Sequence, residues 1–106
     1  MPTVEASGTL LATAAEQTLA TVSSNRNLLL VVDLTLMQAG DTVILKVYRK
    51  VLTTGALVLY ARQSYVDAQT DPVAISIPFP SPFQASATLQ QTVGGFRNFP
   101  WSLESL

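Results

Sequence analysis

The chain has 106 residues, a length that supports a single domain around one hydrophobic core. Apolar residues make up 48% of it and charged residues only 12%, with a mean hydropathy of +0.34, which excludes a disordered chain. The formal charge is −1, and six cations scattered from Arg26 to Arg97 form no basic patch able to neutralise a run of phosphates, so nucleic acid is not an expected partner.

In chain order, Gly8 to Thr13 and Gln17 to Val22 read as two short strands around Ala14-Ala15-Glu16. Alanine and glutamate favour a helix over Leu11 to Leu19, but the threonines at 13, 18 and 21 and the lack of a convincing cap favour strand, loop, strand. Leu28 to Met37 opens as a continuous apolar run and ends in alternation, with Leu28, Leu30, Val32, Leu34 and Leu36 on one face, as in a central strand. Gln38-Ala39-Gly40-Asp41 carries turn chemistry. Asp41 to Val51 then alternates, with Val43, Leu45, Val47 and Val51 on one side and Thr42, Ile44, Lys46, Tyr48 and Lys50 on the other. These two runs are expected to form an antiparallel hairpin.

After Thr53-Thr54-Gly55, Ala56 to Tyr65 is rich in β-formers and is expected as a third strand of the same meander. Val66 to Pro72 is polar and reads as a loop. Val73, Ile75 and Ile77 alternate with Ala74 and Ser76 in a strand that Pro78, Pro80 and Pro82 close, forcing an extended connection. Phe83, Ala85, Ala87 and Leu89 mark another strand, and Val93-Gly94-Gly95 reads as a hairpin turn before an aromatic C-terminal run. Short strands at roughly ten-residue spacing predict an all-β fold. The expected architecture is an antiparallel β-sandwich or small jelly-roll-like barrel of about 7–8 strands, one domain over residues 1–106.

With no histidine and no cysteine, His-based triads, thiolate nucleophiles, disulfides and the usual zinc and haem ligand sets are removed. No catalytic residue, cofactor or metal site is expected. Asp67 and Asp71 are the nearest carboxylate pair, but Asp71 before Pro72 is turn chemistry first. Asp33 interrupts an apolar strand and is expected to face the surface in cross-strand pairing, with Lys46 or Arg49 as a partner. Gly94-Gly95 lacks the lysine and following helix of a phosphate loop. Lys46, Tyr48 and Lys50 on one strand, with Tyr60 and Arg62 on the next, form a solvated sheet face or a contact stripe.

The apolar run Leu28 to Val32 falls far short of the about 18 residues of a transmembrane helix, and the N-terminus lacks the pattern of a secretory signal, so no membrane role is expected. Aromatic residues gather in Phe96 to Leu106, around Phe99 and Trp101, and in Ile77 to Phe83, which holds Phe79 and Phe83 on a stiff proline backbone. Aromatics of this kind anchor interfaces or fill the domain's own core. Few charges on so small a domain favour contact with neighbours, as in a symmetric homo-oligomer.

Glu16-Gln17-Thr18-Leu19-Ala20-Thr21, Leu28 to Leu36, Gly40-Asp41-Thr42, Lys46-Val47-Tyr48-Arg49-Lys50-Val51-Leu52 and Phe99-Pro100-Trp101-Ser102-Leu103 together resemble small proteins encoded among the virion genes of tailed bacteriophages. The resemblance covers most of the chain and implies a non-enzymatic virion component made in the host cytoplasm. Among such proteins it points to a capsid decoration (cement) protein, often a trimer, that contacts the major capsid protein or other virion subunits. Phe79, Phe83, Phe99, Trp101 and Tyr48 are then the candidate partner-binding residues. The competing expectation is a carbohydrate- or receptor-binding module of a tail or fibre, with Tyr48, Tyr60, Tyr65 or Trp101 as stacking platforms.

Overall fold

A computed structural model describes residues 3–23, 25–76 and 78–105. The chain is all-β and antiparallel, with β1 (Thr3–Leu11), β2 (Gln17–Val22), β3 (Arg26–Asp33), β4 (Thr42–Arg49), β5 (Val58–Val66), β6 (Val73–Ile75), β7 (Phe79–Ser81), β8 (Ala85–Val93) and β9 (Asn98–Ser105). One sheet runs β1-β9-β3-β6, with β7 also paired to β3, and the other runs β2-β8-β4-β5. Taking β6 and β7 as one interrupted edge strand, these are the two four-stranded sheets of a jelly roll, a pair of Greek keys folded face to face.

Period-two alternation builds the core. Leu28, Leu30 and Val32 of β3, Phe99 and Leu103 of β9, and Phe79 of β7 face Val43, Leu45 and Val47 of β4 and Ala85, Ala87 and Leu89 of β8, all buried. Small alanines on β8 leave room for the larger side chains across the sandwich. Gly8 of β1 pairs with Trp101 of β9.

Several strand boundaries and pairings differ from expectation. β3 and β4 lie in different sheets and form no hairpin. Residues 34–41 instead cross the sandwich, and Leu34 and Met37 bury themselves over its end while Leu36 stays exposed. β4 and β5 do pair as a hairpin, with a bulge between Val47 and Tyr48. Residues around Gly94-Gly95 join β8 of one sheet to β9 of the other, so they too are a crossing and not a hairpin. Leucines and valines buried on facing sheets satisfy the same alternation that a hairpin would, which is why periodicity did not separate the two arrangements. Ile77, expected at the end of the β6 strand, lies outside the described residues.

The prolines predict an extended connection at β7, yet its Arg26↔Ser81, Asn27↔Pro80 and Leu28↔Phe79 pairs complete the sheet. Proline is compatible with this edge because an edge strand need donate on one side only. The aromatic interface residues divide sharply as well. Phe79 and Phe99 are both 0% exposed, which corrects their assignment as partner contacts: they are the two largest fully buried side chains of the core. Trp101 shares the inner face of β9 and packs, half-buried, against that core.

Candidate functional site

Tyr48 projects from the outer face of β4, where β8 presents Ser86 and Thr88 beside it. The connection between β1 and β2 folds over this face and delivers Glu16. Its Oε2 accepts hydrogen bonds from the Tyr48 hydroxyl at 2.5 Å and the Thr88 hydroxyl at 2.6 Å, while Oε1 lies 3.7 Å from the Lys46 ammonium. Ser86 and Thr88, on an outward face, are consequently buried. A shallow hollow of about 320 Å³ remains, lined by Glu16, Thr18, Tyr48, Leu57, Ser86 and Thr88.

The Thr88 and Tyr48 hydroxyls, helped by Lys46, hold the Glu16 carboxyl below its ordinary range against a smaller opposing effect of burial. Hydrogen bonding to that carboxylate pushes the Tyr48 phenol up, with burial acting the same way. Glu16 therefore stays ionised and Tyr48 protonated. A carboxylate already satisfied by two hydroxyls is a clamp between a loop and a sheet. It pins the Lys46 and Tyr48 stripe, and the Lys50 backbone N–H donates to Gln84 O, tying the β4–β5 connection to the β7–β8 connection.

Polar residues also gather at the end of the sandwich where crossings 12–16, 34–41, 67–72 and 94–97 meet. Asp41, which carries turn chemistry after Gly40, is 1% exposed. Its Oδ2 accepts from Gln38 N at 2.9 Å and Arg97 Nε at 3.1 Å. Burial alone would raise its pKa, but the Gln38 N–H and the Arg97 guanidinium outweigh that and hold it low. Gln91, fully buried, donates to Gly95 O at 2.6 Å and Val93 O at 3.2 Å and accepts from Arg97 N at 3.3 Å. Asp67, at φ +64°, accepts from Gly40 N at 2.7 Å and donates its own N–H to Asp41 O at 2.8 Å. Asp67 is thereby a loop fastener, and among the described residues no group of three or more His, Cys, Asp or Glu is placed to hold a metal ion.

Asp33 pairs with neither Lys46 nor Arg49, which lie on the other sheet. It accepts from Thr35 N at 2.9 Å and from the Thr35 hydroxyl, closing an Asx turn at the end of β3, and these bonds lower its pKa. Of the five candidate contacts, Phe83 is the one on open surface, at 37% exposure in the β7–β8 connection and not in a strand. Val51 and Leu52 are more exposed still on the connection that Lys50 ties to Gln84, giving this end of the sandwich an apolar rim. Alternation along Asp41 to Val51 places Val51 on the inward face, and nothing in that pattern singles out Leu52. The signal for both is a pair of aliphatics directly before Thr53-Thr54-Gly55, where a turn leaves side chains in water.

Comparison with protein-family models, with curated proteins and with solved structures finds no match to this chain.

Proposed function

We propose that this chain is a non-enzymatic virion structural protein of a tailed bacteriophage, a decoration or cement protein that stabilises a capsid shell by contacts across capsomer junctions. The observation that carries the reading is the apolar rim of Val51, Leu52 and Phe83 at one end of a jelly roll whose opposite end is locked by buried polar bonds. An exposed aromatic flanked by exposed aliphatics is an apolar patch of the kind that marks a protein contact. Jelly rolls recur in viral capsids and in lectins, which supports the reading at the level of fold analogy. Such a protein binds the assembled shell in preference to free subunits and so raises the free energy of rupture by mass action.

The test is co-sedimentation of the purified chain with shells assembled from the capsid protein encoded alongside it. Saturable binding that raises the shell's rupture temperature, and is lost in Phe83→Ser with Leu52→Ser, is expected. No binding to assembled shells at micromolar concentration overturns the proposal. The hollow beside Tyr48 and Leu57, rimmed by Thr18 and Ser86 hydroxyls, favours as second reading a carbohydrate-binding module. A glycan array without a hit removes it.

A further inference from the structure

β5 is the outer strand of its sheet, paired on one side with β4 and on the other with nothing among the described residues. It is nine residues long, and seven of the nine are exposed, Val58, Leu59, Tyr60 and Val66 among them. Every second residue of such an edge directs its N–H and C=O away from the sheet, which is a template for another strand. The usual protections are thin here: β5 has one bulge opposite the Val47/Tyr48 step, a single charge, and no proline. Facing it across the open side of the sandwich, β6 and β7 are only three residues each.

Beneath β5, between the sheets, lies a pocket of about 130 Å³ lined by Leu30, Leu45, Val47, Ala61, Gln63 and Tyr65, with Ser76 and Arg62 at its margins. Ala61, Gln63 and Tyr65 pair with Val47, Leu45 and Val43, so they are the inward residues of β5 and repeat at the strand period. An apolar cavity of about 150 Å³ is large enough for a benzene ring, so this one has room for an aliphatic side chain. The Tyr65 hydroxyl, its pKa raised by burial, makes no hydrogen bond to a protein group among the described residues.

Charge selects the occupant. Arg62 on the outer face stands directly opposite Lys46, a like-charge pair that is unfavourable by itself. Lys46 is met by Glu16, whereas Arg62 has no ion pair among the described residues, and β5 itself carries no carboxylate. A strand laid against β5 would bring its own outward side chain next to Arg62 and its inward neighbours over the pocket.

We infer that the β5 edge is a strand-addition site for an extended segment of a partner protein, one that carries a carboxylate facing Arg62 and an aliphatic residue seated in the pocket beside Ala61, Gln63 and Tyr65. Main-chain pairing supplies the affinity of such a site and the pocket its selectivity. The inference is independent of the capsid reading, since the rim at Phe83 and the β5 edge are tested separately.

The experiment is an amide-resolved NMR titration of the intact chain with a capped nine-residue peptide alternating valine and glutamate, and with its valine–lysine counterpart. The glutamate peptide is expected to shift the amides of 61–65 and slow hydrogen exchange along β5, binding at least about tenfold more tightly than the lysine peptide. Ala61→Leu fills the pocket and is expected to weaken binding by about tenfold or more. Arg62→Glu, a surface change that leaves the fold intact, is expected to reverse the preference. No shift in β5 at millimolar peptide overturns the inference, as does equal binding of both peptides. Shifts of the same amides with protein concentration alone would assign the edge to a second copy, and would overturn it too.

Discussion

Gly94→Ala is the sharpest perturbation available at the locked end of the sandwich. Gly94 sits at φ +98°, a conformation that costs an L-residue about 1–2 kcal/mol. A Cβ there would also lie 1.9 Å from Asp41 Oδ1 and 2.8 Å from its Cγ, inside any permitted contact. Because Asp41 is buried, its carboxylate must move and give up bonds to Gln38 N and Arg97 Nε, charged hydrogen bonds worth about 1.5–3 kcal/mol. The total is about 2.5–5 kcal/mol, which for a urea slope of about 1.5 kcal/mol/M lowers the unfolding midpoint by about 1.7–3.3 M. Gly40→Ala is the control: its φ is +90°, but nothing lies within 4 Å of the new Cβ, so only the backbone cost of about 1–2 kcal/mol is expected. In an Asp41→Ala background the clash with Oδ1 and Cγ is gone, although the 3.0 Å approach to Asp41 Cα remains. The double mutant should therefore show a coupling of at least about 1 kcal/mol. Equal losses for Gly94→Ala and Gly40→Ala, or strict additivity with Asp41→Ala, would refute the packing argument.

Acid lability follows from Glu16, Asp33 and Asp41, all held below their ordinary values of 4.5 or 3.8 in the folded state. A depressed carboxylate contributes stability that is present above its unfolded value and lost as pH falls through the folded one, so stability should decline from about pH 4.5 downward. Between pH 6 and 8 it should be flat, since the chain has no histidine; a denaturant series across pH that peaks near 3 would contradict this. Ser81→Ala should leave stability unchanged or raise it by about 1 kcal/mol, because the buried Ser81 hydroxyl has no hydrogen-bond partner among the described residues; a loss on thermal melting would refute this. Phe99→Ala should cost about 3–5 kcal/mol as a core truncation, whereas Phe83→Ala should cost under about 1 kcal/mol, and comparable losses in urea would mean that Phe83 is core as well. Glu16→Gln should cost about 1 kcal/mol and narrow the pH dependence, a change visible in the Tyr48 ring signals, and unperturbed Tyr48 resonances would count against the clamp.

The alternation of apolar and polar residues was sufficient by itself to determine that this chain is β-structured throughout. Gln17–Val22 was delimited to the residue, and the strands around Val43–Val47 and Ala85–Leu89 were located within a few positions, because a half-buried strand exposes its period along the sequence. The absence of histidine and cysteine likewise removed whole classes of chemistry without any coordinates. Tertiary structure alone decided which strands are neighbours. β3 and β4 both satisfy their inner faces by packing across the sandwich, and no local feature separates that from pairing edge to edge. The same limit hid the functional geometry: Glu16 meets Thr88 across 72 positions, and Asp41 meets Arg97 across 56. Phe79, Phe83 and Phe99 are chemically alike in a sequence and differ only in what the folded chain sets around them. Burial is a property of the whole assembly of strands, and it is fixed only when long-range pairing closes the core.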